Sequence, residues 1–164
     1  MIAHDPAQWH DFCLAVAGAS GALLGLAFVA ISINLEAILE NDELPARALE
    51  TLIFLAFPLA SSLLIELPGI SRVVLGIGLA ILGGGFACIA IKDLPRWSGQ
   101  PGEPLSWRLT QLVPAVLIAA LASVGAIAVL TTSIGGLYWV AAAMAVATTS
   151  GLINSWVLLV EIKR

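Results

Sequence analysis

Charge is what this sequence lacks. Only 11% of its 164 residues are Asp, Glu, Lys or Arg, where a soluble domain carries about 25%. So few charges cannot cover a water-facing surface, and so apolar a chain does not stay disordered, which excludes a soluble globular enzyme and a disordered chain. Basic residues number 7 against 11 acidic ones, so the basic stripe that nucleic acid demands is missing. Histidine and cysteine occur twice each. Both histidines, His4 and His10, precede the first apolar run, and no acid accompanies the serines inside the runs. No Ser/His/Asp or Cys/His nucleophile set can be assembled from such a distribution. A non-enzymatic protein without metal or cofactor is expected. The pairs His4-Asp5 and His10-Asp11 lack a diagnostic metal-ligand spacing, and the acidic stretch Glu36–Glu43 lacks the central glycine of a calcium loop.

What the sequence has is hydrophobicity, 60% of residues and a mean hydropathy of +1.01. It is gathered into five runs, Phe12–Leu35, Leu49–Leu67, Val73–Ile91, Val113–Ile134 and Leu137–Val160. A hydrocarbon core of about 30 Å takes about 20 residues of helix. The runs are continuous rather than alternating, so they are helices and not barrel strands. In lipid the backbone must satisfy its own hydrogen bonds. These features predict an all-α fold: one domain over 1–164, an integral membrane bundle of five transmembrane helices.

Basic residues orient the bundle. Arg72 stands alone on one side, while Arg47, Lys92, Arg96, Arg108, Lys163 and Arg164 fall on the other. That asymmetry predicts the N-terminus outside and the C-terminus in the cytoplasm. The residues ahead of the first run contain no Lys or Arg, so it reads as a span rather than a signal peptide, with Trp9 as an interfacial anchor. Cys13 and Cys88 fall near opposite ends of the bundle, too far apart for a disulfide. Each reads as a small buried apolar residue.

Helix association in lipid depends on small residues that let backbones approach. Gly18, Gly21, Gly25 and Ser32 form one such face on the first span, and Gly76, Ala80, Gly83, Ala87 and Ala90 another on the third. The fourth carries Ala115, Ala119, Ala122 and Ala126, and the fifth Ala143, Ala147, Ser150, Asn154 and Glu161. The triplet Gly83-Gly84-Gly85 has neither the preceding strand nor the lysine of a phosphate loop, and it marks a bend, each glycine costing a helix about 1 kcal/mol. Pro58 kinks the second span, with the Ser61 and Ser62 hydroxyls available to the carbonyls it frees. The fourth span starts either near Ser106, with Pro114 inside it, or at Val113 with Pro114 in its first turn.

The central thirds of all five runs hold no ionisable residue, which argues against proton relays, voltage sensing and metal-dependent catalysis. Glu50 and Glu66 bracket the second span, where they can pair with Arg47 and Arg72 or serve as an acidic pore mouth. Asn34 and Asn154 fall in the cytoplasmic thirds of the first and fifth spans. They read either as interhelical glue, with Ser32 or Ser155 as further partners, or as the lining of a polar vestibule.

Trp9–Phe12, Gly18–Gly25 (GASGALLG) and Phe28–Leu35 (FVAISINL) resemble the opening of a family of small multi-spanning bacterial membrane proteins. Leu44–Glu50 (LPARALE) and Asn154–Ile162 (NSWVLLVEI) are similar to that family's second-helix start and C-terminal end. The family is largely uncharacterised, and some members are labelled modulators of the membrane protease FtsH. The resemblance implies a bacterial plasma (inner) membrane, adds no catalytic residue, and marks Asn34 and Asn154 as motif positions. Two functions compete: a homo-oligomeric passive channel for ions or small solutes, lined by Ser, Thr and Asn, and a regulatory or scaffolding subunit that binds another membrane protein. Nucleic acid is not an expected partner.

Overall fold

The computed structural model describes residues 5–40, 44–97, 105–132 and 135–162, with 89–97, 105–111 and 161–162 described by their backbone alone. A 3-10 turn at Pro6–Trp9 leads into α1 (His10–Ile33), the short α2 (Leu35–Leu39), α3 (Leu44–Ile65), α4 (Arg72–Trp97), α5 (Leu105–Thr131) and α6 (Leu137–Ile162). The described residues contain no strand. Helices α1, α3, α5 and α6 are each long and apolar enough to cross a membrane, and α4 contributes a shorter apolar stretch, Arg72–Cys88. The apolar runs thus become helices close to where hydropathy puts them.

Their ends have local causes. Gly69 (φ 69°) reverses the chain between α3 and α4 in the left-handed region, which costs glycine little. The Ser71 hydroxyl then accepts from the Val74 N–H at 3.3 Å and caps α4. Between α5 and α6 the turn runs through Gly135 and Gly136, also left-handed at φ 98° and 45°. Ser133 and Ile134 in that hairpin lie outside the described residues, as do His4, Asn41–Glu43, Lys163 and Arg164.

Several details differ from the sequence expectation. Of the two starts open for the fourth span, α5 takes the earlier, beginning at Leu105 with Pro114 in its interior. Helix α4 continues through Gly83–Gly85 without a break; of the three, Gly83 packs against Ala122 of α5, while Gly84 and Gly85 have open space beside them. The Ser61 and Ser62 hydroxyls on α3 are fully buried and reach no hydrogen-bond partner, so they do not satisfy the carbonyls freed by Pro58. Cys13 is buried, whereas Cys88 is exposed on the outside of α4. Part of the acidic stretch after the first span is helical, with Glu36 inside α2.

Contacts are most extensive between α4 and α5, followed by α3 with α6, α1 with α3, and α5 with α6. Consecutive helices α3 and α4 meet much less. Four helices therefore close a ring, α3–α6–α5–α4, and α1 lies outside it against α3. The α4–α5 seam is where small residues matter most. A Cβ added at Gly83 would stand 2.9 Å from the Ala122 Cβ, and one at Gly76 would run into the Leu130 side chain. Ala115, Ala119, Ala122 and Ala126 all face inward on α5. The α3–α4 side is held apart by aromatic bulk. Phe86 stacks on Phe54 at 5.8 Å and meets Phe57 edge-on at 5.1 Å. Rings of that size fill the gap that glycines and alanines close elsewhere.

The seam yields a paired test. Nothing lies within 4 Å of a Cβ placed at Gly84. Gly83→Leu is expected to lower stability by about 1–3 kcal/mol through overpacking. Gly84→Leu, with the same gain in helix propensity of about 1 kcal/mol, should leave stability unchanged or raised. Thermal unfolding of both variants in one detergent measures the difference.

Candidate functional site

Helix α1 determines what the outside of the molecule offers. Its inner face (Cys13, Val16, Ser20, Ala27 and Ile31) is buried or half-buried, at helical spacing against the bundle. Its outer face repeats Ala15, Gly18, Ala22, Gly25, Val29 and Ser32, all exposed. The spacing alternates three and four residues, the period at which one helix packs along another. The glycines of the first span divide accordingly. Gly18 and Gly25 have nothing within 4 Å of an added Cβ, while Gly21 turns toward the Leu59 side chain at 4.0 Å. Within the chain, Gly18 and Gly25 bring no helix close, in contrast to Gly76 and Gly83 on α4.

Helix α1 is held at its two ends. At the first end, Trp9 is buried, edge-on to Tyr138 at 4.8 Å and to Phe12 at 5.6 Å. It thus closes onto α6 instead of standing free as an interfacial anchor. The adjacent His10 Nδ1 donates to Glu66 Oε2 at 2.6 Å, across 56 residues of sequence. A carboxylate can only accept, so the proton of this pair sits on the imidazole. The Glu66 carboxylate beside it, acting through the hydrogen bond and then through charge, holds His10 above its ordinary value of 6.5, with a smaller push from Asp11. Glu66 does not form the expected ion pair with Arg72 across the turn. The sequence signal for its true partner was level: His10 and Glu66 both flank their spans on the side where α3 ends.

At the other end, the chain bends at Asn34 (φ −107°, ψ 19°), between α1 and α2. The Asn34 Nδ2 donates to Ala30 O at 2.8 Å, so the amide caps its own helix and does not reach Asn154. The bend turns Ile38 inward, where it packs with Leu44, Ala48 and Leu158, joined by Ile31. Between the two attachments lies an open apolar groove of about 540 Å³, lined by Gly21, Leu24, Gly25 and Phe28 of α1 and Leu52, Ile53 and Ala56 of α3.

Of the polar residues singled out from sequence, Glu66 stands at one end of the bundle, while Ser32, Asn34, Glu50 and Asn154 belong to the other, where the end of α1, the start of α3 and Leu158 of α6 meet. Ser32 is exposed and donates to Phe28 O at 2.8 Å. Ser150 is buried on α6, where Asn154 is half-buried. Glu50 is half-buried near the start of α3, and Glu66 follows the other end of that helix. Thr51, Thr148 and Ser155 likewise bond their hydroxyls to carbonyls four residues back, which leaves apolar surfaces between helices. No group of three metal-ligating side chains occurs among the described residues.

Thiol exposure tests this account of α1. In the folded protein in detergent, Cys88 is expected to react with a small apolar maleimide while Cys13, with no exposed surface, stays protected until the chain unfolds. Mass spectrometry of the labelled protein separates the two sites.

No protein-family model, curated protein or solved structure matches this chain, so the role of α1 is argued from its own geometry.

Proposed function

We propose that this chain is a non-enzymatic integral protein of a bacterial plasma membrane that assembles with copies of itself through α1 and forms a passive pore for ions or small solutes between the copies. It spans the bilayer five times, with the N-terminus outside and the C-terminus in the cytoplasm. The fifth span is α4. Its apolar run, Val73–Ile91, is close to the roughly 20 residues that a hydrocarbon core takes. The split of basic residues, Arg72 against the remaining six, supports the orientation.

One observation carries the reading: the exposed outer face of α1, Ala, Gly or Ser at every step of a three-four repeat except Val29. A face of this kind lets a second helix approach to backbone distance, which is how helices associate in lipid. A path between copies is favoured over one through a single chain because the bundle interior is filled by Phe54, Phe57, Leu79, Phe86, Ile118 and Met144. Ser32 lies on the assembly face.

A separate observation favours a second reading, a regulatory or scaffolding subunit for another membrane protein such as a protease. Ser32, Asn34, Thr148 and Ser155 bond to carbonyls of their own helices instead of facing one conduit. The partner's helix would then occupy the same α1 face.

Leucine at Gly18 and Gly25 together discriminates, since nothing stands within 4 Å of a Cβ at either position and the groove beside Gly25 has room for a side chain. The double variant is expected to keep the thermal stability of the parent in detergent but to lose the homo-oligomer by light scattering and the flux in proteoliposomes. A parent that is monomeric and passes no solute sinks the pore. Crosslinks from position 22 to a different membrane protein in native membranes would then support the second reading.

A further inference from the structure

We propose that His10 and Glu66 form a pH-operated clasp that fastens the start of α1 to the end of α3 and opens as the surrounding solution turns alkaline. This inference is independent of what α1 binds on its outer face.

The placement of the pair argues for a clasp over an ordinary surface ion pair, which contributes little. Helix α1 stands outside the four-helix ring and has one extensive partner, α3. Midway along, Ser20 is buried and Gly21 meets Leu59, while beside them an open groove lies between Gly25 and Ile53, so the two ends reinforce a seam that is only partly filled. The inner end is secured by apolar packing around Ile38, which no change of pH alters. The outer end combines the Trp9 contacts with the one described ion pair that joins α1 to α3, 2.6 Å long. His10 is the first residue of α1, ahead of the apolar run that begins at Phe12, and its side chain is 59% exposed.

The groups around the pair set its direction. Glu66 comes from the end of α3 and Asp11 from α1 itself, and both favour the charged imidazole. Asp5 is occupied in accepting from the Ala7 N–H. From α6 the facing residue is Tyr138, against Trp9. Arg72 opens α4 and makes no ion pair with Glu66. His10 is held above its ordinary value, so the clasp is complete below that value and is lost as pH rises through the raised one. Histidine is the side chain whose charge changes in this range.

Cys13 reports the opening. It lies one turn beyond His10 on the buried face of α1. With Cys88→Ala, it is the single thiol of the full chain. In lipid nanodiscs, its rate of reaction with a water-soluble maleimide is measured from about pH 5.5 to about pH 8.5 and divided by the rate at the same pH in Glu66→Gln and, because the Glu66 charge also acts on the Cys13 thiol, in His10→Gln, which keeps that charge. The ratio is expected to rise about tenfold for each unit by which Glu66 raises the His10 midpoint. His10→Lys, charged throughout, should stay protected across the range. With two histidines in the chain, imidazole NMR reads the midpoint directly, and Glu66→Gln should lower it. If the ratio stays at one at every pH, or if the midpoint is unmoved by Glu66→Gln, the clasp is refuted. His10→Gln alone serves as the reference should Glu66→Gln fail to fold.

Discussion

Apolar surface is no adhesive in a bilayer, since lipid tails are as apolar as the helices they surround. What remains to join helices is fit, and in this chain it is most extensive in the α4–α5 seam, with further glycine contacts at Gly78–Leu64, Gly125–Val140 and Gly151–Leu55. Gly76 receives Leu130, and Gly83 lies against Ala122 so closely that even a methyl would displace it. The rest of the ring is arranged around that contact. Phe86, on the same helix, turns to the opposite side and fills the wider gap to Phe54 and Phe57. One helix thus has a smooth side for close approach and a bulky side for spacing, and the alternation between them shapes the ring.

The ring leaves α1 with two faces of unlike character. The inner one is joined to α3 by side chains of ordinary size. The outer one carries a stripe of Gly, Ala and Ser interrupted by Val29. Between them the attachment is discontinuous, ionic and aromatic at one end and aliphatic at the other, with a groove in the middle. Hydroxyls contribute little to holding helices together here. Ser32, Thr51, Thr148 and Ser155 turn to their own helices, and Ser61 and Ser62 are buried without a partner.

Much of the fold was legible in the sequence, because runs of about 20 apolar residues have one stable form in lipid. The runs near 12–35 and 137–160 correspond closely to α1 and α6. Which way each helix faces was not legible. A helix apolar all round carries no polar side to mark its outside. Gly18, Gly21 and Gly25 therefore looked alike in sequence, yet Gly21 meets Leu59 of α3, Gly25 lies at the edge of the groove and Gly18 stands clear of the bundle. Asn34 read as a polar group seeking another helix, but an amide at the end of a helix finds its nearest acceptor four residues back. Glu66 was weighed against the arginine nearest in sequence. Its partner came from 56 residues away, a pairing that depends on α1 and α3 running antiparallel with their ends at one level.

The pattern of neighbours also has a consequence for the order in which the molecule can come together. Helices α4 and α5 are consecutive, so their tight seam can form as soon as both have been made. Helix α3 is different: its most extensive partner is α6, the last helix of the chain. Until α6 is present, the ring stays open on the side of α3, with only α1 and the rings around Phe86 to hold it. Closure therefore waits for the final helix. A chain stopped before Leu137 would have its best-fitting pair already assembled while the most buried face of α3 still lay exposed.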